Sequence, residues 1–263
     1  MMRLSLSARI IEGPQGKFQM SLVEFLDFAK EIGYQGVELR QGQYSAETAP
    51  DEADRIKKRL EERGLRCAFI RAPNVEERSG LETFKLYLSM ARILKADVVR
   101  FRATETLWAK RAADLAADRG LRLASQIHTR TRFETVDMAL ETLKDIKREN
   151  FGVIFEPGNL VLAGEDYGKE AIQRLGDKIF AVCVQNIKPV KEPQGEHIIE
   201  HKGRQFTRCL IGDPEGVDFA SLFQGLKAIG YQGFVNVLEP KSHLMDNLEL
   251  ARFAYEKLNQ FLK

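Results

Sequence analysis

Leu121 to Gly164 reads LRLASQIHTRTRFETVDMALETLKDIKRENFGVIFEPGNLVLAG, a pattern of strand, helix and strand. In the first segment Leu121, Leu123 and Ile127 share one face, so the two-residue period sends Ala124, Gln126 and His128 to the other. The second segment, Gly152 to Phe155, is almost wholly apolar, as a strand covered on both faces must be. It delivers Glu156 just ahead of Pro157 and Gly158. Between the two, Thr135 is placed to cap a helix whose Met138, Leu140, Leu143 and Ile146 form an apolar stripe, leaving Lys144, Lys147 and Arg148 in water. Parallel strands joined by such a helix make a right-handed crossover unit.

The rest of the chain repeats that unit. Leu4 to Ile10 alternates as a first strand. Ser21 to Ile32 is a helix with a capping box, Ser21 and Glu24, and a glycine stop at Gly33. Strands follow at Gly36 to Arg40, Leu65 to Arg71 and Asp97 to Arg102, separated by charged helices, and then comes the stretch quoted above. Beyond it a strand is expected over Ile179 to Ile187, a long loop over Lys188 to Gly216, a helix from Asp218, an eighth strand over Gly233 to Glu239 and a closing helix. IGYQG at Ile32 to Gly36 recurs at Ile229 to Gly233, a reused helix-to-strand turn. With 263 residues and 44% hydrophobic content, the fold class expected is α/β, a (β/α)8 TIM barrel forming a single domain over residues 1–263.

Forty Lys and Arg nearly balance 38 Asp and Glu, spread along the helices, so nothing in the charge pattern points to nucleic acid or a membrane surface. Cys67, Cys183 and Cys209 lack metal or redox spacing and fit reduced thiols. MMRLSLSARIIEG lacks the apolar run of a secretory signal, so a cytoplasmic protein is expected, with a homo-oligomer compatible. No phosphate-cradling loop or dinucleotide fingerprint appears, so no nucleotide cofactor is expected.

In such a barrel the carboxyl ends of the strands build the site. Those ends are polar here: Glu38 and Arg40 straddle Leu39, Arg100 and Arg102 straddle Phe101, Gln126 and His128 straddle Ile127, and Cys183 and Gln185 straddle Val184. Arg71, Arg130 and Lys188 lie at or just past other ends. The expected mouth is cationic, suited to the oxygens of a phosphate or carboxylate. Glu38, Arg40, Arg71, Arg102, Gln126, His128, Arg130, Gln185 and Lys188 are the candidate substrate-binding residues. Glu156, and after it Glu239, are the candidate bases for removing a proton next to a carbonyl.

The unit order, together with VEL at Val37 to Leu39 and the segments LASQIH, VIFEPGN, VCVQNIKP and GYQGFVNVLEP, resembles the xylose isomerase-like barrels. The resemblance implies a sugar or sugar-acid isomerase or epimerase, with or without a phosphate on the substrate. The alternatives it leaves open are a lyase or dehydratase, and a non-catalytic sugar-acid binder on a degenerate isomerase scaffold. It also implies a divalent metal, magnesium, manganese or zinc. The family's metal-binding Glu of strand five falls on Gln126, its Asp of strand six on Glu156 and its His of strand seven on Cys183. Its Glu of strand eight falls on Glu239 or, by distance from Gly233, on Leu238. The metal candidates are therefore Gln126, Glu156 and Glu239, with Cys183 as a further ligand that would favour zinc.

HIIEH at His197 to His201 matches an inverted zinc-protease pattern, but its β-branched centre and the nearby Pro193, Gly195 and Gly203 favour a strand or an excursion over the required helix. That loop, with Lys202 and Arg204, is expected to lie over the mouth as a lid.

Overall fold

The computed structural model of the protein describes residues 1–13, 16–190, 197–238 and 244–262. Seven strands follow in order, β1 (Arg3–Ser7), β2 (Gly36–Glu38), β3 (Arg66–Arg71), β4 (Val98–Arg100), β5 (Leu123–Gln126), β6 (Phe151–Phe155) and β7 (Ile179–Val184). After β7 come three short strands, β8 (Ile187–Pro189), β9 (Ile199–His201) and β10 (Arg204–Arg208), and then β11 (Phe234–Val237). Strands β1 to β7 pair in sequence, and β11 pairs in parallel with both β7 and β1, closing an eight-stranded barrel. The helices α1 (Leu22–Ile32), α2 (Pro50–Glu62), α3 (Gly80–Ile93), α4 (Thr106–Ala117), α5 (Val136–Ile146), α6 (Pro157–Ala163), α7 (Lys169–Leu175) and α8 (Phe219–Ala228) lie in the connections, and α9 (Asn247–Asn259) follows β11. Among the described residues no helix is long and apolar enough to cross a membrane.

The period-two reading explains two apolar layers. Outward strand residues such as Leu4, Val99, Leu123, Val153 and Val235 pack under the helices. Inward residues form a plug across the barrel: Phe69, Val98, Ala124, Ile154, Cys183, Phe234 and Leu238. Each fully buried side chain of this size contributes on the order of 1.5–3 kcal/mol. Two glycines make room for the bulky members of the plug. A Cβ on Gly36 would come within 2.6 Å of the Phe234 ring, and one on Gly152 within 2.5 Å of the Lys178 carbonyl and 2.8 Å of Phe180.

Local signals set the helix ends. Ser21 and Glu24 form the expected capping box, and Thr135 accepts a hydrogen bond from the Met138 amide at 3.1 Å. Both glycines of the repeated IGYQG turn, Gly33 and Gly230, adopt left-handed backbone with φ of 111° and 67°.

Several expectations need correction. In α5 the buried residues are Val136, Ala139, Thr142 and Ile146; Leu140 and Leu143 of the expected stripe pack partly buried against the core, while Met138 is 40% exposed. The first strand stops at Ser7, and Ala8–Ile11 forms a 3-10 turn in which the Arg9 amide donates to Ser7 Oγ at 3.2 Å. The seventh strand breaks after Val184, and β8, β10 and β9 form a separate antiparallel sheet inside the expected long loop. Helix α6, which was not expected, starts directly after Glu156, with Pro157 at its first position and Gly164 as its left-handed stop.

Candidate active site

The carboxyl ends of the strands surround a cavity of about 580 Å³. The guanidinium groups of Arg9, Arg71, Arg100, Arg102 and Arg130 line it, together with Gln126, His128, Phe101 and Phe133. Ile199, Glu200 and His201 of β9 close one side, so the excursion after β7 forms part of the wall. That excursion has its own apolar contact with the barrel: Ile187 and Phe206 pack on Leu162 of α6, with Val161 and Ile199 against them.

Several of the lining arginines are held through their backbones. The Tyr44 hydroxyl donates to the Arg71 carbonyl at 2.9 Å and accepts from the Arg71 amide at 2.6 Å. Ser125 Oγ donates to the Phe101 carbonyl at 2.7 Å and accepts from the Ala103 amide at 3.1 Å, which pins the segment carrying Arg102. Arg130 sits in left-handed backbone, φ 60°, with its amide donating to Glu134 Oε2 at 2.7 Å. Among the described residues, the guanidinium groups of Arg9, Arg71, Arg102 and Arg130 form no ion pair with a carboxylate. Burial lowers the pKa of Arg9, with Arg40, Arg208 and Arg100 adding to the effect, and burial together with Arg100 and Arg40 lowers that of Arg71. This crowding of like charge is what a site for an anion would show.

Beneath the cavity lie two carboxylates with no exposed surface, Glu38 and Glu156. Glu38 Oε2 accepts from Asn236 Nδ2 at 2.8 Å, and Asn236 Oδ1 in turn accepts from Ser5 Oγ at 2.9 Å. Glu38 Oε1 faces Arg40 at 3.5 Å and Arg100 at 3.7 Å, and Arg40 also reaches Glu12 at 3.2 Å. This buried charge is therefore paired and partly hydrogen-bonded, as its burial demands.

Glu156 follows β6 directly. Its Oε1 accepts a hydrogen bond from the side-chain amide of Gln185, and its Oε2 has no hydrogen-bond partner among the described residues. Burial pushes its pKa up to about 7, against the opposing pull of Arg100, Gln185, Arg9 and Arg208. A carboxyl group poised there can take and return a proton at neutral pH. It does not border the cavity itself; Gln126 on the neighbouring β5 does. Partial desolvation lowers the pKa of His128, as do Arg100, Arg102 and Arg9. Its Nδ1 lies 3.0 Å from the Thr129 carbonyl, to which the neutral ring donates.

The other expected residues fall elsewhere. Arg40 supports Glu38 and does not line the cavity. Lys188, on β8, donates to Asp213 at 3.0 Å and Glu215 at 2.8 Å, also outside the lining. Glu239 lies outside the described residues. The sequence reading did not single out Arg9, Ser5, Asn236 or the link between Glu134 and the excursion. Glu134 Oε1 meets His201 Nε2 at 3.1 Å and Lys202 Nζ at 2.6 Å. Burial opposes the charge on Glu134, but hydrogen bonds from Lys202, the Arg130 amide and His201 outweigh it and bring the pKa down to about 2. His201, part of the HIIEH segment, is thus a strand residue that fastens the wall of the cavity.

The described donors at the expected metal positions do not fit a divalent ion. Gln126 supplies a neutral oxygen, and one oxygen of Glu156 is taken by Gln185. Burial keeps the Cys183 thiol protonated, far above its ordinary range, with Glu38 and Glu156 adding to the effect. Leu238 packs with Cys183 in the plug. Among the described residues no group of three or more His, Cys, Asp or Glu side chains could hold a metal.

A family profile described as the xylose isomerase-like TIM barrel matches residues 26–261. Inosose dehydratase of Geobacillus thermodenitrificans is 25% identical over 129 residues, which are 47% of this chain and 42% of that relative. The match therefore spans less than half the length of the curated relative. Among solved structures, L-ribulose 3-epimerase superposes with a TM-score of 0.77 at 16% identity, over 100% of this chain and 95% of that one. The IolI protein, solved with a bound zinc atom, gives 0.73 at 16% identity over 99% and 98%. At these identities the structural likeness is one of fold. The profile match runs through nearly all of the closed barrel, and the chain belongs to the xylose isomerase-like TIM barrel family, which includes epimerases and dehydratases.

Proposed function

We propose that the protein is an isomerase or epimerase for a small anionic sugar or sugar acid, acting by proton abstraction next to a carbonyl with Glu156 as the base. The observation that carries this reading is a buried carboxyl group with a pKa near 7 and one oxygen without a hydrogen-bond partner among the described residues, set beside a cavity walled by arginines. Arg71, Arg102 and Arg130 would grip the oxyanion of the substrate, and Gln185 would hold the carboxylate in position. Glu156 is covered in the free protein and does not border the cavity, so productive binding requires a local rearrangement that opens a path to it. Glu239, which lies outside the described residues, is the candidate second base. A dehydratase uses the same first proton transfer, and the partial likeness to inosose dehydratase keeps that chemistry as the second reading.

The test is incubation in deuterium oxide with a panel of ketoses, keto acids and their phosphates, followed by proton NMR. Enzymatic exchange at the carbon next to the carbonyl is expected for at least one compound and should disappear in Glu156→Gln. An isomerised product supports the first reading and loss of water the second. Exchange that survives in Glu156→Gln would remove the assignment of the base.

A further inference from the structure

We propose that the guanidinium group of Arg100 is the electrophile of this site, holding the carbonyl oxygen of an α-hydroxycarbonyl substrate and carrying the negative charge that develops there in place of a divalent ion. This rests on the proton-transfer reading above and names the group that would make it feasible.

Arg100 ends β4, lines the cavity and is mostly buried, with 17% of its side chain exposed. Its Nη1 has no hydrogen-bond acceptor among the described residues. The nearest carboxylate oxygen, Glu38 Oε1, is 3.7 Å away, close enough to orient the charge and too far to occupy the donor. Among the described residues two acceptors, Gln126 Oε1 at the end of β5 and Glu156 Oε2 just past β6, likewise have no hydrogen-bond donor, and Glu38 Oε1 at the end of β2 has only its ion pairs with Arg40 and Arg100. Buried polar atoms without hydrogen-bond partners are rare, and four at neighbouring strand ends mark a place built for a polar ligand. The Arg100 donor beside these acceptors matches a carbonyl oxygen flanked by hydroxyl groups. The IolI protein was solved with a bound zinc atom, but the described donors here do not suit a divalent ion, whereas a guanidinium provides charge and a forked pair of donors for a developing oxyanion.

The step balances as follows. Glu156 Oε2 takes the proton from the carbon next to the carbonyl, and the C–H electron pair becomes a C=C bond. The carbonyl π pair moves to oxygen, which accepts a hydrogen bond from Arg100 Nη1, while Gln126 Oε1 holds the hydroxyl. Return of the proton reforms the carbonyl and restores the carboxylate.

The experiment uses the full chain dialysed against EDTA and titrated by calorimetry with oxalate, a planar dianion shaped like the enediolate, and separately with inorganic phosphate. Oxalate should bind the stripped protein, with no gain on adding manganese or zinc. Arg100→Met should weaken oxalate by about tenfold or more, the worth of one charge-assisted hydrogen bond, while phosphate, held by Arg71 and Arg102, weakens by less than about threefold. Arg100→Lys, which keeps the charge and loses the fork, should fall between wild type and Arg100→Met for oxalate, and it decides the matter if the methionine variant does not fold. Oxalate binding that requires added metal, unchanged oxalate affinity in both variants, or equal loss of oxalate and phosphate would overturn the proposal. Metal-dependent oxalate binding beside Glu156-dependent exchange would sink the electrophile alone. Arg100-dependent oxalate binding without exchange of any substrate would sink the proton-transfer reading alone.

Discussion

Gln185 donates its side-chain amide to one oxygen of Glu156, and the other oxygen has no hydrogen-bond partner among the described residues. The pair joins the ends of β7 and β6, and it stabilises the carboxylate against the burial that favours the protonated acid.

Removing that donor should therefore raise the Glu156 pKa further. In Gln185→Leu, a carbon-13 titration of labelled glutamate carboxyls, assigned with Glu156→Gln, should move the Glu156 inflection above its wild-type position near 7. A downward shift would mean that the amide does not serve the ionised form.

Glu156 also links stability to pH. Its folded pKa is raised from 4.5 to about 7, so its favourable contribution is complete below pH 4.5 and is lost as the pH rises through 7. Glu156→Gln, which cannot ionise, should be more stable than wild type at pH 8 by an amount on the order of 3 kcal/mol, with little difference at pH 4.5. Denaturant unfolding at the two pH values checks this, and a variant less stable at pH 8 would contradict it.

The Glu134 link has the opposite sign. Its pKa is depressed from 4.5 to about 2, so its contribution is present above 4.5 and is lost as the pH falls through 2. Glu134→Gln should cost about 1–3 kcal/mol at pH 7, a penalty that shrinks between pH 4.5 and 2. It should also speed hydrogen exchange in β9, because His201 and Lys202 lose their anchor.

Tyr44 uses one hydroxyl to bond both the amide and the carbonyl of Arg71. Tyr44→Phe leaves these buried groups without that partner and should cost about 1–3 kcal/mol in thermal or denaturant unfolding. It should also weaken phosphate binding, since the guanidinium of Arg71 loses its fixed base.

The barrel was legible because its units carry local signals. Apolar segments such as VIF and AVCV read as strands covered on both faces, and Gly33 and Gly230 mark helix ends through a conformation that other residues rarely adopt. Much of the mouth was legible for the same reason, since period two turns Gln126 inward once Leu123 is turned outward. Arg9 was not, because the alternation of Leu4 to Ile10 continues through a point where the chain turns into a 3-10 segment. Asn236 sits alone in FVNV, and nothing in that run shows that its amide spans Ser5 and Glu38. The pairing of Glu134 with His201 joins residues 67 apart through a sheet that periodicity does not announce. Helix α6 was missed because seven residues opening on Pro and Gly read as a turn.

The most direct measurement is the pH dependence of solvent-deuterium incorporation into a substrate that the protein turns over. With Glu156 as the base, the rate should climb as the pH rises through about 7, following a single ionisation, and Glu156→Gln should show no enzymatic exchange at any pH. A rate that is flat across this range, or equal in the variant, would be incompatible with a buried carboxylate beneath the arginines as the group that moves the proton.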